Sequence, residues 1–195
     1  MVSIGASNVF LDRVLIDRTF PFRLQSSTGL PMTESDHTGD IQNIALNLSK
    51  AWEFLSGEER LFQHVAQPQE PLPFADFSFY VPLTLPADNR RGGVGVLIRQ
   101  DDAIRVATNM FGMARHQIHH DDLRDACSEV CNVFTDCMTA LFGCGRRVKI
   151  GLPRQAGSAD YQFFAESCVT RALYQGGSGS RKLLIVLFDN LHSPS

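Results

Sequence analysis

A chain of 195 residues, 44% of them apolar, is long enough for one full domain with an N-terminal extension and apolar enough for an ordinary core. Eighteen basic against 21 acidic side chains leave a formal charge of -3 with no long run of either sign, which excludes the basic footprint of a nucleic-acid binder or of a protein held on anionic membranes. No window approaches the roughly 18 to 20 apolar residues needed to span a bilayer, and "MVSIGASNVFLDR" lacks the basic head and apolar run of a secretory leader, so the expected location is the cytoplasm.

Residues 1–43 settle on no structural period: "NVFLDRVLIDRTFPFRLQ" mixes apolar and charged positions, and "STGLPMTESDHTGD" reads as loop. Over residues 44–66 the pattern turns helical. Ile44, Leu48, Trp52, Leu55 and Phe62 share one face, "SGEE" breaks the helix between turns, and the region is expected to pack on the domain that follows. The prolines of "QPQEPLP", residues 67–73, predict an extended connection, which puts the main domain at 74–195. There "FADFSFYVPLTLP" alternates Phe77, Phe79, Val81, Leu83 and Leu85 inward, "ADNRRGG" turns, and "VGVLIRQ" returns as the second strand of a hairpin.

"DDAIRVATNMFGM" opens with acids suited to a helix N-terminus and puts Ile104, Ala107, Met110 and Phe111 on one side. A longer helix starts near "HHDDLRD", with Asp121 or Asp122 as its N-cap, and runs to Phe142, where "GCG" supplies a glycine stop. The strand-like runs "RRVKIGLP", "YQFFAESCVTRALYQ" and "KLLIVLFDN" close the chain, the last two joined through "GGSGS". That loop lacks the lysine and hydroxyl placement of a phosphate-binding Walker loop. Strand, strand, helix, helix, strand, strand, strand predicts an α+β fold, a mainly antiparallel sheet packed against helices.

At about 100° per residue the long helix divides sharply. Asp125, Glu129, Asn132 and Asp136 fall on one narrow polar line, while Leu123, Val130, Phe134, Cys137 and Leu141 cluster opposite, on the face that seeks the core. The polar line contains no lysine or arginine, so ion pairing along the helix does not explain it. Asn132, a poor interior helix former, stands mid-helix where neither a cap nor a turn calls for asparagine.

Five cysteines, four of them in this helix and its end, suit reduced thiols better than a disulfide framework. Cys127 and Cys131 have spacing that permits a metal site, with His116, His119 and His120 as the nearby candidates for further ligands. Their place on the core face and its shoulder reads as packing.

The pattern Asp125-x-x-x-Glu129-x-x-Asn132, followed by Pro153 in "IGLP", resembles the signature of the CheC, CheX and FliY family of response-regulator phosphatases. In that family an acidic or serine residue, a glutamate and an asparagine lie on one exposed helix, and a proline opens the strand that comes after. One copy of the motif makes this chain CheX-like, and the resemblance extends over residues 75–190. It implies a CheC/CheX-like fold with the motif on a long exposed helix. The implied substrate is a CheY-like receiver domain phosphorylated on aspartate, in chemotaxis or two-component signalling, dephosphorylated by an in-line water. The receiver would supply the magnesium, and the chain would need no cofactor or metal of its own. Asn132 would orient the water and Glu129 would pair with the receiver's active-site lysine, with Asp125 and Asp136 as contact or supporting residues. Asp136 departs from the pattern, which has a small residue there, and the interval from Asn132 to Pro153 is shorter than usual. These departures leave room for a non-catalytic receiver-binding or dimerisation module with a degenerate site. Members of the family pair sheet edges into homodimers, a use to which "KLLIVLFD" is suited.

Overall fold

The computed structural model describes residues 34–65, 75–85, 90–142, 147–157, 169–177 and 182–190. The expectations for residues 1–33, for the proline connection at 67–73 and for the "GCG" stop lie outside them.

Helix α1 (Glu34–Ser56) turns Ile44, Leu48, Trp52 and Leu55 into the core, the spacing of one helical face. It begins inside the stretch read as loop and ends at Ser56, where Gly57 takes the left-handed conformation with φ 72°. The helix does not resume between "SGEE" and residue 65. Phe62–His64 instead forms a short strand, β1, and Phe62 enters the core from it, edge-on to Phe134 with ring centroids 5.5 Å apart.

Strands β2 (Phe77–Leu85) and β3 (Arg90–Ile98) form the expected hairpin, with Phe77 opposite Ile98 and Leu85 opposite Arg90. All five alternating residues of β2 are buried. Helix α2 (Gln100–Phe111) buries Asp102, Ala103, Val106 and Ala107, so that Ile104, Met110 and Phe111 sit at the rim of the core rather than in it. Hydropathy misplaces this face because its innermost turn holds an acid. Arg60 donates to both oxygens of Asp102 at 2.8 and 2.5 Å, and its guanidinium lies 4.4 Å from the centre of the Trp52 ring.

Helix α3 (His120–Thr139) starts after His119, not at Asp121 or Asp122. Asp122 serves the cap from three residues inside, accepting the His119 backbone N–H at 2.7 Å. The helix ends at Thr139, and a 3-10 turn, Ala140–Phe142, carries the chain to the expected end point.

Strands β4 (Lys149–Ile150), β5 (Arg154–Gln155), β6 (Val169–Gly176) and β7 (Leu183–Asn190) complete the described elements. Among the described residues one antiparallel sheet runs β1-β6-β7-β3-β2-β4, with β5 also on β2. The three described helices cover one face of it, around a core to which α1, β1, β2, β3, α2, α3, β6 and β7 contribute. Strand β7 corrects one expectation. It lies inside the sheet between β6 and β3, so the backbone groups of "KLLIVLFD" are already paired on both sides and cannot serve as a dimer edge. Leu183, Ile185 and Leu187 pack toward the helices while Leu184, Val186 and Phe188 are buried on the opposite face, hence the unbroken apolar run.

Candidate functional site

Helix α3 inserts Leu123, Ala126, Cys127, Val130, Cys131, Phe134 and Met138 into the core. Its other side carries the polar line, with Asp125 and Asp136 exposed and Glu129 and Asn132 half-buried. Asn132 Nδ2 donates to Glu129 Oε2 at 3.2 Å. A carboxylate only accepts, so the amide turns its nitrogen to Glu129 and keeps its carbonyl oxygen for another donor. One helical turn thus holds an anionic acceptor and an oriented amide side by side.

The run "RRVKIGLP" does not make one strand, and the reason lies in its partner. Ile150 pairs with Leu83, and Arg154 pairs with Tyr80, which leaves Val81 and Pro82 of β2 facing Gly151, Leu152 and Pro153. One extra residue on the outer strand is a β-bulge. Pro82 has no N–H to donate, and Pro153 has none to offer back, so the ladder cannot continue through this point. Gly151 still approaches closely, its N–H donating to Pro82 O at 2.8 Å, and a Cβ there would come within 2.6 Å of the Pro82 ring. The bulge places Pro153 opposite α3. A cleft of about 260 Å3 opens there, lined by Asp121, Arg124, Asp125 and Ser128 of α3, by Phe79 of β2 and by Pro153 and Gln155 of the sheet edge.

The fold therefore brings together Asp125, at one end of the polar line, and Pro153, 28 residues later in the chain (153 − 125). Glu129 and Asn132 occupy the next turn of α3, and exposed Asp136 the turn after, outside the cleft. Arg124, Ser128 and Gln155 were not singled out in the sequence. Arg124 and Ser128 lie within one turn of Asp125, a relation that wheel geometry could have exposed; Gln155 carries no such signal. Ser128 Oγ donates to Arg124 O at 2.8 Å, and Arg124 lies 3.9 Å from the Asp121 carboxylate.

The described cysteines face the other way. Cys127 and Cys131 are buried and Cys137 half-buried. Burial pushes the Cys127 thiol up to about 12, assisted by the nearby Asp102 charge. It raises Cys131 as well, with Cys127 adding to the effect. For Cys137 burial and the Asp136 charge outweigh the thiol's backbone hydrogen bond and lift it to about 12. Among the described residues no three His, Cys, Asp or Glu side chains converge as a metal site would require. A larger groove of about 940 Å3 between the loop after α1 and α2 contains four arginines, each ion-paired: Arg60 with Asp102, Arg105 with Glu58, Arg115 with Asp101 and Arg99 with Asp76. Its positive charge is already matched. No described helix is long and apolar enough to cross a membrane.

No family model matches the chain, and no curated protein does. Solved structures do. A chemotaxis protein CheX from Desulfovibrio desulfuricans aligns at 16% identity and a TM-score of 0.54, over 76% of this chain and 97% of its own. A chemotactic CheC-like protein from Shewanella oneidensis aligns at 14% identity and 0.56, over 78% and 99%. A third, solved as the CheX-CheY-BeF3-Mg complex from Borrelia burgdorferi, aligns at 13% and 0.55, over 77% and 97%. The fold of this chain is the CheC/CheX fold.

Proposed function

We propose that the chain docks α3 on a CheY-like receiver domain phosphorylated on aspartate and speeds loss of its phosphoryl group, in chemotaxis or related cytoplasmic signalling. The observation that carries this reading is the Glu129–Asn132 pair, hydrogen-bonded at 3.2 Å on the solvent side of α3. The solved complex of a like fold with CheY supports a receiver as the partner.

An acyl phosphate is already activated, so the helper must place a water in line rather than supply a strong base. The Asn132 carbonyl oxygen accepts one hydrogen of that water and turns its lone pair toward phosphorus. The water oxygen bonds to phosphorus, the bond from phosphorus to the aspartyl oxygen breaks with its electron pair going to that oxygen, and the products are dihydrogen phosphate, which carries both protons of the water, and the free carboxylate. Glu129 takes the receiver's active-site lysine as its ion-pair partner. The magnesium that neutralises phosphoryl charge belongs to the receiver, and this chain contributes no ligand to it. Asp125 acts as a contact at the edge of the docked surface.

Phosphate release from a receiver phosphorylated with a small-molecule donor tests this directly. Asn132→Ala should lower the stimulated rate on the order of 100- to 1,000-fold and leave affinity for the receiver close to wild type. Glu129→Ala should weaken both. A wild-type chain that leaves the release rate unchanged with every receiver it binds would sink the phosphatase reading. Asp136, exposed one turn beyond Asn132, favours a second reading, docking without turnover, because its charge stands beside the anion to be attacked. In that case Asp136→Gly raises a negligible rate.

A further inference from the structure

The bulge between β4 and β5 does more than bring Pro153 to α3. It turns Leu152 outward, 82% exposed, with Ile150 42% exposed beside it. An exposed leucine by itself is ordinary. This one is unusual in its mounting. Lys149 and Ile150 are paired to β2 on one side, and Arg154 and Gln155 on the other. Gly151 N–H is bonded to Pro82 O, and Ala156 N–H to Ser78 O, both at 2.8 Å. The backbone under Leu152 is fixed on both sides, so little ordering remains to be lost when a partner covers it.

Leu152 also adjoins the candidate site, since its neighbour Pro153 forms one wall of the cleft whose other wall is Asp121, Asp125 and Ser128. The α3 surface beyond it presents Asp121, Asp125 and Glu129 against the single base Arg124, while exposed Lys149 and Arg154 flank Leu152 on its own edge. A partner complementary to these features offers an apolar recess whose rim is basic where it meets α3 and acidic where it meets the strand edge. We propose that Leu152 is the apolar anchor by which this chain selects its receiver domain, the leucine filling such a recess while the α3 carboxylates meet the rim. The proposal rests on the docking reading above and assigns it a specificity residue outside the polar line.

The test uses the full chain and a panel of receiver domains loaded with beryllofluoride and magnesium, read by calorimetric titration. Leu152→Asp should raise the Kd of the receiver that binds by about tenfold or more, and Leu152→Ala by less. Leu46→Asp, at a half-exposed leucine on α1, should leave it unchanged. In phosphate release the Leu152→Asp defect should fall on KM rather than kcat. A folded Leu152→Asp variant with wild-type Kd overturns the inference, and the proposed activity then still stands on Asn132. Loss of affinity in Leu152→Asp from a wild type that binds but releases no phosphate supports the anchor and removes the phosphatase. A wild type that binds no receiver in the panel overturns both.

Discussion

Asn132 sits mid-helix against its own propensity, and its hydrogen bond to Glu129 shows what replaces the lost local preference: a side-chain pair one turn apart whose orientation is set by charge. Nearby Thr135 is fully buried, and its hydroxyl has no hydrogen-bond partner among the described residues. Burying an unpaired hydroxyl costs free energy that a methyl of the same shape does not. Thr135→Val should therefore stabilise the fold by about 1 kcal/mol, seen as a higher urea midpoint at unchanged slope. A lower midpoint would mean that the hydroxyl has a partner after all.

At the scale of elements, the loop after α1 is tied to α2 by Arg60 and Asp102, whose side chains are 13% and 6% exposed. Removing one partner strands the other charge in the interior. Asp102→Ala should cost about 3 to 5 kcal/mol, whereas the double replacement Arg60→Met with Asp102→Leu should cost far less. Denaturant titrations of Asp102→Ala, of the singles Arg60→Met and Asp102→Leu and of their double check this, and additive losses of those two singles in the double would refute it. The pair also explains why the inner face of α2 was misread: an acid stands where periodicity expects an apolar residue, and its partner is 42 residues away. The edge strand was misread for a related reason. Nothing in "RRVKIGLP" reports that Pro82 on the neighbouring strand interrupts the ladder, so the bulge at residues 151–153 becomes visible only when the two strands are laid side by side.

Over the whole molecule, several acidic protons are held by burial. Cys127 and Cys137 move from an ordinary 9.0 to about 12, Cys131 moves in the same direction, and burial with the Asp40 charge lifts Tyr174 from 10.0 to about 12. Each folded-state pKa lies above its unfolded value, so the folded protein binds more protons across this window. The stability they contribute is fully present below about 9 and is lost as pH rises toward 12. Melting temperature should fall steadily above pH 9. Alkylation of the native protein at pH 8, mapped residue by residue, should leave Cys127 and Cys131 unmodified; rapid labelling of either would contradict their place in the core.

The hairpin, the two later helices, the antiparallel α+β class and the division of α3 into an apolar and a polar face are all written locally, because alternation and helical periodicity are properties of neighbouring residues. The set Asp125, Glu129, Asn132 and Pro153 was likewise legible as a pattern of letters. Long-range pairing settled the remainder. It placed β7 in the middle of the sheet, made β1 from residues expected to be helical, buried Asp102 against Arg60, and brought Pro153 across from Asp125 with Leu152 standing beside it. Each of these depends on a partner many residues away, and hydrogen bonds, ion pairs and steric limits of that kind have no local signature.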